Sequence, residues 1–288
     1  MIVPATVRRA IFVLAFAANC AIAFRTQAHG DLHERITAIS AQILTNPSSP
    51  DLWLQRADLH RQHAEFDAAQ TDLDHAAQLK PGWASAELQQ ARIAFDRENF
   101  PGAVRAAGDC LMLDPTNADA RVLRARSLVR LQQPARAIAD YDAVLTRTNS
   151  ARPLPDLFLE RARAQAALEK FDDALHGLDD AMRQLGDTPS FALPAIEYER
   201  QRGAFGAALA RLERAEKFFD RESFLALRGE ILLQAGRRAD AAKYFSAALA
   251  ALEKFSTERR ALPAVVDLEA RLRANLKQAT VSPPQPDP

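Results

Sequence analysis

Between residues 50 and 255 the chain repeats a pattern of mostly small side chains set among polar helix formers. Three series of positions run in one register, and each advances by 34, 34, 37, 34 and 33 residues. Small side chains at fixed places let two antiparallel helices, and then the next pair, approach closely. The spacing therefore predicts six units of two helices each. The three series are Ala57, Ala91, Ala125, Ala162, Ile196 and Gly229; Ala69, Ala103, Ala137, Ala174, Ala208 and Ala241; and Ala76, Cys110, Val144, Ala181, Ala215 and Ala248.

Larger side chains keep the same register. An aromatic residue recurs where the first helix turns into the second, and a large residue recurs midway along the second helix. Pro81 and Pro115 mark the ends of the first two repeats, since proline cannot continue a helix. Pro134 and Arg238 replace the aromatic in the third and sixth repeats. Ala107 replaces the large residue in the second repeat, which predicts looser packing in that repeat. The aromatics are Phe66, Phe100, Phe171 and Phe205, and the large residues are Leu73, Tyr141, Leu178, Leu212 and Phe245.

The pattern is clearest in LWLQRADLHRQHAEFDAAQTDLDHAAQLKP, residues 52–81, and in FLALRGEILLQAGRRADAAKYFSAAL, residues 224–249. With its 34-residue period and its small, aromatic and proline positions, it resembles the tetratricopeptide repeat. The resemblance covers residues 50–255 and implies an all-α fold, a right-handed α-solenoid of about six helix-turn-helix repeats. The repeats are expected at 50–83, 84–117, 118–151, 155–188, 189–221 and 222–255.

Helical patterns flank the repeats on both sides. Residues 31–45 place Leu32, Ile36, Ile39 and Ile43 on one helical face, which predicts an N-terminal capping helix within 29–49. An amphipathic helix that begins at Pro263 predicts a C-terminal capping helix within 256–279, of the kind that repeat arrays need. Residues 280–288 are expected to form a disordered tail. The three extra residues between the third and fourth repeats predict either a longer loop or a slight break in the superhelix at 149–154.

The first 28 residues have the composition of an export signal. Arg8 and Arg9 precede fifteen uncharged residues, Ala10–Phe24. A basic start, a short apolar core and a small-residue exit are typical of a secretory signal peptide, and this core is shorter than the roughly 20 residues that span a bilayer. The chain is therefore expected to be periplasmic or secreted in a bacterium, with no transmembrane anchor after processing.

The sequence allows three ways of processing the export signal. Cleavage after Ala28 fits the small-residue spacing best, and cleavage after Ala23 is the second choice. A lipoprotein would need a small residue before its cysteine, and Asn19 before Cys20 is a poor match. Lipidation is therefore the weaker alternative.

Charge and motifs narrow the class of function. The 37 basic and 37 acidic residues balance, so no overall positive field exists to attract nucleic acid. The sequence has no phosphate-binding glycine loop, no His-Glu-x-x-His, no Gly-x-Ser-x-Gly and no Cys-x-x-Cys. We expect neither catalysis nor a cofactor. The expected partners are proteins of the cell envelope, and the chain itself is expected to be a monomer.

Histidines near the processed N-terminus indicate an alternative function. If cleavage follows Ala28, His29 carries a free α-amine, and an amine with an imidazole can chelate copper or nickel. His33 could supply a further nitrogen. The competing interpretation is that these histidines are solvent-facing polar residues, and that His60 occupies an ordinary packing position in its repeat.

The resemblance implies a concave groove lined by the first helix of each repeat. One groove position is basic in the middle repeats and acidic at the flanks. An apolar position lies one helical turn earlier, and aromatic or basic residues lie one turn later. These sets are Asp58, Arg92, Arg126, Arg163, Glu197 and Glu230; Leu54, Leu88, Val122, Leu159 and Leu193; and Phe95, Arg130 and Arg200.

The groove residues predict a non-catalytic scaffold that binds a peptide segment. Arginine grips carboxylates through two parallel hydrogen bonds, so an acidic and partly apolar peptide is the expected ligand. The alternative is that these arginines pair with neighbours such as Asp96 and Glu160, or that they are solvated.

Overall fold

The computed structural model describes residues 31–146 and 155–281, and all secondary structure in those ranges is helical. This confirms the predicted all-α fold class. The chain divides into two compact units, Met1–Val144 and Leu145–Pro288, which we call the first and second unit. The predicted signal peptide with Ala28, the residue His29, the loop at 149–154 and positions 282–288 of the predicted tail lie outside the described residues.

From residue 31 on, where the description of the first unit begins, a flanking helix is followed by three helix pairs. The flanking helix α1 covers residues 31–45. Each pair consists of a first helix, a short turn and a second helix, and the pairs follow one another along the chain. They are α2 (Pro50–Gln62) with α3 (Phe66–Leu79), α4 (Ala84–Asp96) with α5 (Phe100–Leu113), and α6 (Ala118–Arg130) with α7 (Pro134–Leu145).

Between residues 155 and 281 the second unit has three further pairs, followed by the helices α14 (Thr257–Arg260) and α15 (Pro263–Thr280). The helix α11 has only 10 residues and is followed by a short 3₁₀ helix, Glu216–Phe218. The pairs are α8 (Pro155–Ala166) with α9 (Phe171–Leu185), α10 (Pro189–Gln201) with α11 (Phe205–Arg214), and α12 (Arg221–Gln234) with α13 (Arg238–Leu252).

Local sequence explains where several of these helices begin. Proline occupies one of the first positions of α2, where its missing N–H leaves no hydrogen bond unmade. The side chains of Asn99 and Asn117 accept hydrogen bonds from the backbone N–H groups of Gly102 and Ala120, at 3.1 and 2.9 Å. Such caps satisfy donors that the first helical turn would otherwise leave free.

The three series of small residues form the interior of the helix pairs. All of their members are buried, from Ala57 in the first pair to Ala248 in the last. The large residues of the second helices are buried as well, and Tyr141, Leu178, Leu212 and Phe245 are almost completely enclosed. The period of the sequence pattern is therefore the period of the core.

The turn inside each pair has one left-handed residue at a constant position. Four of these residues have side chains, although the left-handed region costs such residues roughly 1–2 kcal/mol relative to right-handed backbone. The last two pairs have glycine there, which adopts this conformation freely. The residues, with their φ angles, are Ala64 (62°), Glu98 (58°), Gln132 (57°), Glu169 (57°), Gly203 (76°) and Gly236 (74°).

Exchanging residues at this turn position is expected to change stability in opposite directions. Gln132→Gly removes a left-handed side chain but loosens the unfolded chain, so we expect a net gain of about 0.5 kcal/mol in the free energy of unfolding. Gly236→Ala introduces the same strain and is expected to cost about 1 kcal/mol. Urea denaturation of both variants checks the signs, and a loss of stability in Gln132→Gly would contradict the interpretation.

Two helix pairs of the first unit contain a buried ion pair at the same place. Arg56 on α2 donates to Asp72 on α3 at 2.7 and 2.6 Å, and Arg124 on α6 donates to Asp140 on α7 at 2.8 and 2.6 Å. Each arginine precedes its aspartate by 16 residues, and both aspartates are buried. These bidentate pairs join the two helices of a pair through charge as well as apolar contact.

Candidate functional site

A pocket of about 450 Å³ lies between α1, α2 and α4 of the first unit. We call it the first-unit pocket. It brings together four of the predicted groove residues, Leu54 and Asp58 on α2 with Leu88 and Arg92 on α4. The flanking helix α1 supplies the remaining wall.

Helical spacing explains why these side chains converge. On each of the three helices, a pair of lining residues is four positions apart, so the two side chains project from the same face one turn from each other. The pairs are Arg35 and Ile39 on α1, Leu54 and Asp58 on α2, and Leu88 and Arg92 on α4. The pocket consequently has an apolar floor and a charged rim.

The carboxylate of Asp58 is fully engaged by neighbouring side chains. Its Oδ1 accepts hydrogen bonds from Arg61 at 3.0 and 2.9 Å and from Gln89 at 2.9 Å, and its Oδ2 accepts one from Gln62 at 2.6 Å. Burial alone would raise the pKa of Asp58, but the hydrogen bonds from Gln89, Arg61 and Gln62 outweigh it and lower that pKa. Asp58 therefore helps to build the pocket and has little capacity left for a ligand.

The two arginines at the rim differ in their partners. Arg92 Nη2 donates to Asp119 at 2.8 Å, and that carboxylate is largely exposed. Arg35 has no hydrogen bond or ion pair with any residue in the described ranges. Asp96, which the sequence offered as a partner for the groove arginines, instead accepts from Arg61 at 2.5 Å. The pocket thus presents one uncommitted guanidinium and one that is held by an exposed carboxylate.

The other predicted residues of the first unit lie outside the lining of this pocket. Phe95 packs edge-on against Phe100, with ring centroids 5.5 Å apart. The guanidinium of Arg130 stacks on the same Phe100 ring at 4.3 Å from its centroid. Val122 is half-buried and Arg126 is exposed, both on α6.

In the second unit the predicted residues are dispersed. Leu159 is half-buried and packs on the core around Leu178. Arg163 is exposed on α8. Burial raises the pKa of the Tyr198 hydroxyl, the positive charge of Arg163 opposes that rise, and Glu197 adds to it.

Arg200 lines a pocket of about 470 Å³ formed by α10, α12 and α15. Its Nη1 lies 3.1 Å from Glu197, and its Nε donates to Gln234 at 2.9 Å. Arg271 in the same pocket pairs with Glu230 at 3.3 Å. The charges of this pocket are compensated, in contrast to those of the first-unit pocket.

Solved structures show what this arrangement of helix pairs is. The C-terminal part of a TPR repeat-containing protein from Cytophaga hutchinsonii is similar at a TM-score of 0.64 and 14% identity, with 83% of this chain and 94% of that chain covered. This chain has the tetratricopeptide repeat (TPR) fold. No protein-family model matches the sequence, and no curated protein matches it.

Two further TPR structures share the fold. YrrB, whose structure is described as a TPR protein with an unusual peptide-binding site, is 20% identical at a TM-score of 0.53, covering 62% of this chain and 90% of that chain. PilW, described as a widely conserved type IV pilus biogenesis factor, is 18% identical at a TM-score of 0.50, covering 72% and 95%. The structural similarity shows a common fold, and at these low identities the function of this TPR chain has to be argued from its own residues.

Sequence reasoning missed the contribution of α1 to the site. The helix was predicted as a capping helix, and Arg35 and Ile39 on it also line the first-unit pocket together with the TPR helices. The signal was present, because Arg35 and Ile39 lie one turn apart. The apolar pattern had placed Ile39 on the packing face of α1, but the TPR register does not extend to this helix and gave no reason to include Arg35.

No metal site is seen in the described part of this TPR chain, where no group of three or more histidine, cysteine, aspartate or glutamate side chains could hold an ion. His33 is exposed on α1. His60 Nδ1 lies 2.6 Å from Glu65 Oε2 in the turn of the first pair. Over residues 31–146 and 155–281, no helix combines the length and apolar character needed to cross a membrane.

Proposed function

We propose that this TPR chain is a non-catalytic scaffold that binds an acidic, partly apolar peptide segment of a partner protein. The observation that carries the proposal is the first-unit pocket, where Arg35 and Arg92 flank an apolar floor made by Ile39, Leu54 and Leu88. A leucine-type side chain of the ligand would fill the floor, and a neighbouring carboxylate would reach the guanidinium groups.

The proposal places the partner in the cell envelope. Its support is the composition of residues 1–28, with a basic start and a short apolar core. The fold shared with PilW, a pilus biogenesis factor, is compatible with such a role. A fusion of residues 1–40 to alkaline phosphatase, which is active only after export, tests whether residues 1–28 direct export. Lack of phosphatase activity in a bacterial host would refute the export signal.

Charge reversal in the first-unit pocket tests the binding site. In Arg35→Glu/Arg92→Glu we expect affinity for a labelled peptide of alternating Glu and Leu to fall about tenfold, since two attractions become repulsions worth roughly 1.4 kcal/mol together. Fluorescence anisotropy measures the affinity, and circular dichroism checks that the helices persist. A peptide with Gln in place of Glu should bind wild type weakly.

A matched control carries the same change in charge elsewhere in the first unit. Arg105→Glu/Arg136→Glu alters two exposed arginines on the second helices α5 and α7. This control should retain the affinity of wild type for the acidic peptide. Equal losses in both double variants would show that net charge, and not the first-unit pocket, governs binding.

A further inference from the structure

The second unit contains a pocket of about 430 Å³ that the proposed peptide site does not use. It lies between α11, α12 and α13, and we call it the α13 pocket. Its apolar lining includes Leu209, Leu225, Leu232 and the ring of Tyr244. A cavity of this size is in the range of small-molecule sites, about 300–1,000 Å³, and here charged side chains stand beside the apolar ones.

The charged groups of the α13 pocket are predominantly cations. Arg228, Arg237 and Lys243 line it together with one carboxylate, that of Asp240. Arg237 Nη2 lies 2.7 Å from Asp240 Oδ2, and Lys243 Nζ lies 3.4 Å from Asp240 Oδ1. The hydrogen bonds from Arg237 and Lys243 lower the pKa of Asp240. A single carboxylate is therefore shared by two cations.

Arg228 is held in place by aromatic rings. Its guanidinium carbon lies 5.0 Å from the centroid of Tyr244 and 5.9 Å from that of Phe224. Its Nη1 is 3.3 Å from Glu213. Counting Glu213 with Asp240, three cations face two carboxylates, which leaves one positive charge beside the leucines.

We propose that the α13 pocket binds a small amphipathic anion, a short alkyl chain with a carboxylate or phosphate head. The head lies between Arg237 and Lys243, where it competes with Asp240 for their N–H groups. The alkyl chain lies along the leucines and the Tyr244 ring, which removes apolar surface from water. A neutral ligand of the same shape lacks the attraction between an anionic head and the side chains of Arg237 and Lys243.

Three eight-carbon probes test the site: octanoate, octyl phosphate and octanol, titrated into the protein while NMR follows the leucine methyl and Tyr244 ring signals. Octanoate and octyl phosphate should shift these signals at concentrations where octanol does not. The comparison of the two anions identifies the preferred head. Shifts by octanol at equal concentration, or shifts located outside the α13 pocket, would overturn the proposal.

Paired variants give changes of opposite sign. Arg237→Gln/Lys243→Gln should weaken octanoate binding about fivefold, whereas Asp240→Asn should tighten it about twofold, as exposed charge pairs imply. The matched controls are Lys254→Gln/Lys277→Gln and Glu253→Gln, which make the same charge changes outside the pocket lining. Equal effects in variants and controls would overturn the site. Arg35→Glu/Arg92→Glu should leave octanoate binding unchanged, so this test is independent of the proposed peptide site.

Discussion

Replacing Arg211 with methionine is expected to lower the free energy of unfolding by about 3–5 kcal/mol, the usual cost of removing one member of a buried ion pair. Arg211 on α11 is 7% exposed, and Glu199 on α10 is 4% exposed. The arginine donates to Glu199 Oε1 from Nε at 3.0 Å and from Nη2 at 2.9 Å, and to Asp179 from Nη1 at 2.7 Å. Without it, the carboxylate of Glu199 would stay buried with no compensating charge.

The chemistry around Arg211 supports a large effect. Burial lowers the pKa of a guanidinium, yet the hydrogen bonds with Glu199 and Asp179 raise the pKa of Arg211 above its ordinary value. Glu199 Oε2 has no hydrogen-bond partner within the described residues, so Glu199 depends on the arginine that binds its Oε1. The three side chains also tie α9, α10 and α11 together across successive TPR pairs.

Two further variants separate a buried charge from a surface one. Arg211→Met/Glu199→Leu removes both charges and should recover most of the lost stability. Arg202→Met breaks an exposed pair with Asp172 and should cost less than about 1 kcal/mol. Urea denaturation followed by circular dichroism measures all three. If Arg211→Met cost no more than Arg202→Met, the buried pair would not stabilise the second unit.

Arg211 also shows where prediction from the sequence stops. The period of small residues predicted the fold because Ala57, Ala91 and Ala125 recur in the register that the helices must keep to pack closely. Arg56 and Asp72 could have been recognised too, since Arg124 and Asp140 repeat their spacing.

The fifth pair inverts this arrangement. Ala195 occupies the position of the arginine, and Arg211 occupies the position of the aspartate. The partners of Arg211 are Glu199, 12 residues away, and Asp179, 32 residues away. Such ion pairs depend on how far individual side chains reach, and they do not recur with the period of the repeat.

The candidate site also contains residues that the repeat register predicts and contacts that it does not. Leu54, Asp58, Leu88 and Arg92 were predictable because one helical face and one repeat register place them together. The pairing of Arg92 with Asp119 was not, because it depends on which rotamers two exposed side chains adopt. The predicted acidic-peptide role of Arg200 is weakened by its contact with Glu197, three residues earlier on the same helix.

The contact between Gly229 and Phe245 is the basis of the second large expected effect. Phe245 on α13 is completely buried, and its ring lies against Gly229 on α12. Phe245→Ala should lower the free energy of unfolding by about 3–5 kcal/mol, because the neighbouring helices cannot collapse fully into the space of a ring. Urea denaturation of the variant measures this loss.

Substitutions on both sides of the contact distinguish close packing from simple loss of apolar area. A Cβ at position 229 would lie 2.6 Å from Phe245 Cε1, so Gly229→Ala should cost about 1–3 kcal/mol despite the better helix propensity of alanine. In Gly229→Ala/Phe245→Leu the smaller leucine leaves room for the new Cβ. This double variant should be more stable than the sum of the losses measured for Gly229→Ala and for Phe245→Leu alone predicts. Simple additivity would mean that the missing side chain at Gly229 does not determine how closely α12 and α13 approach.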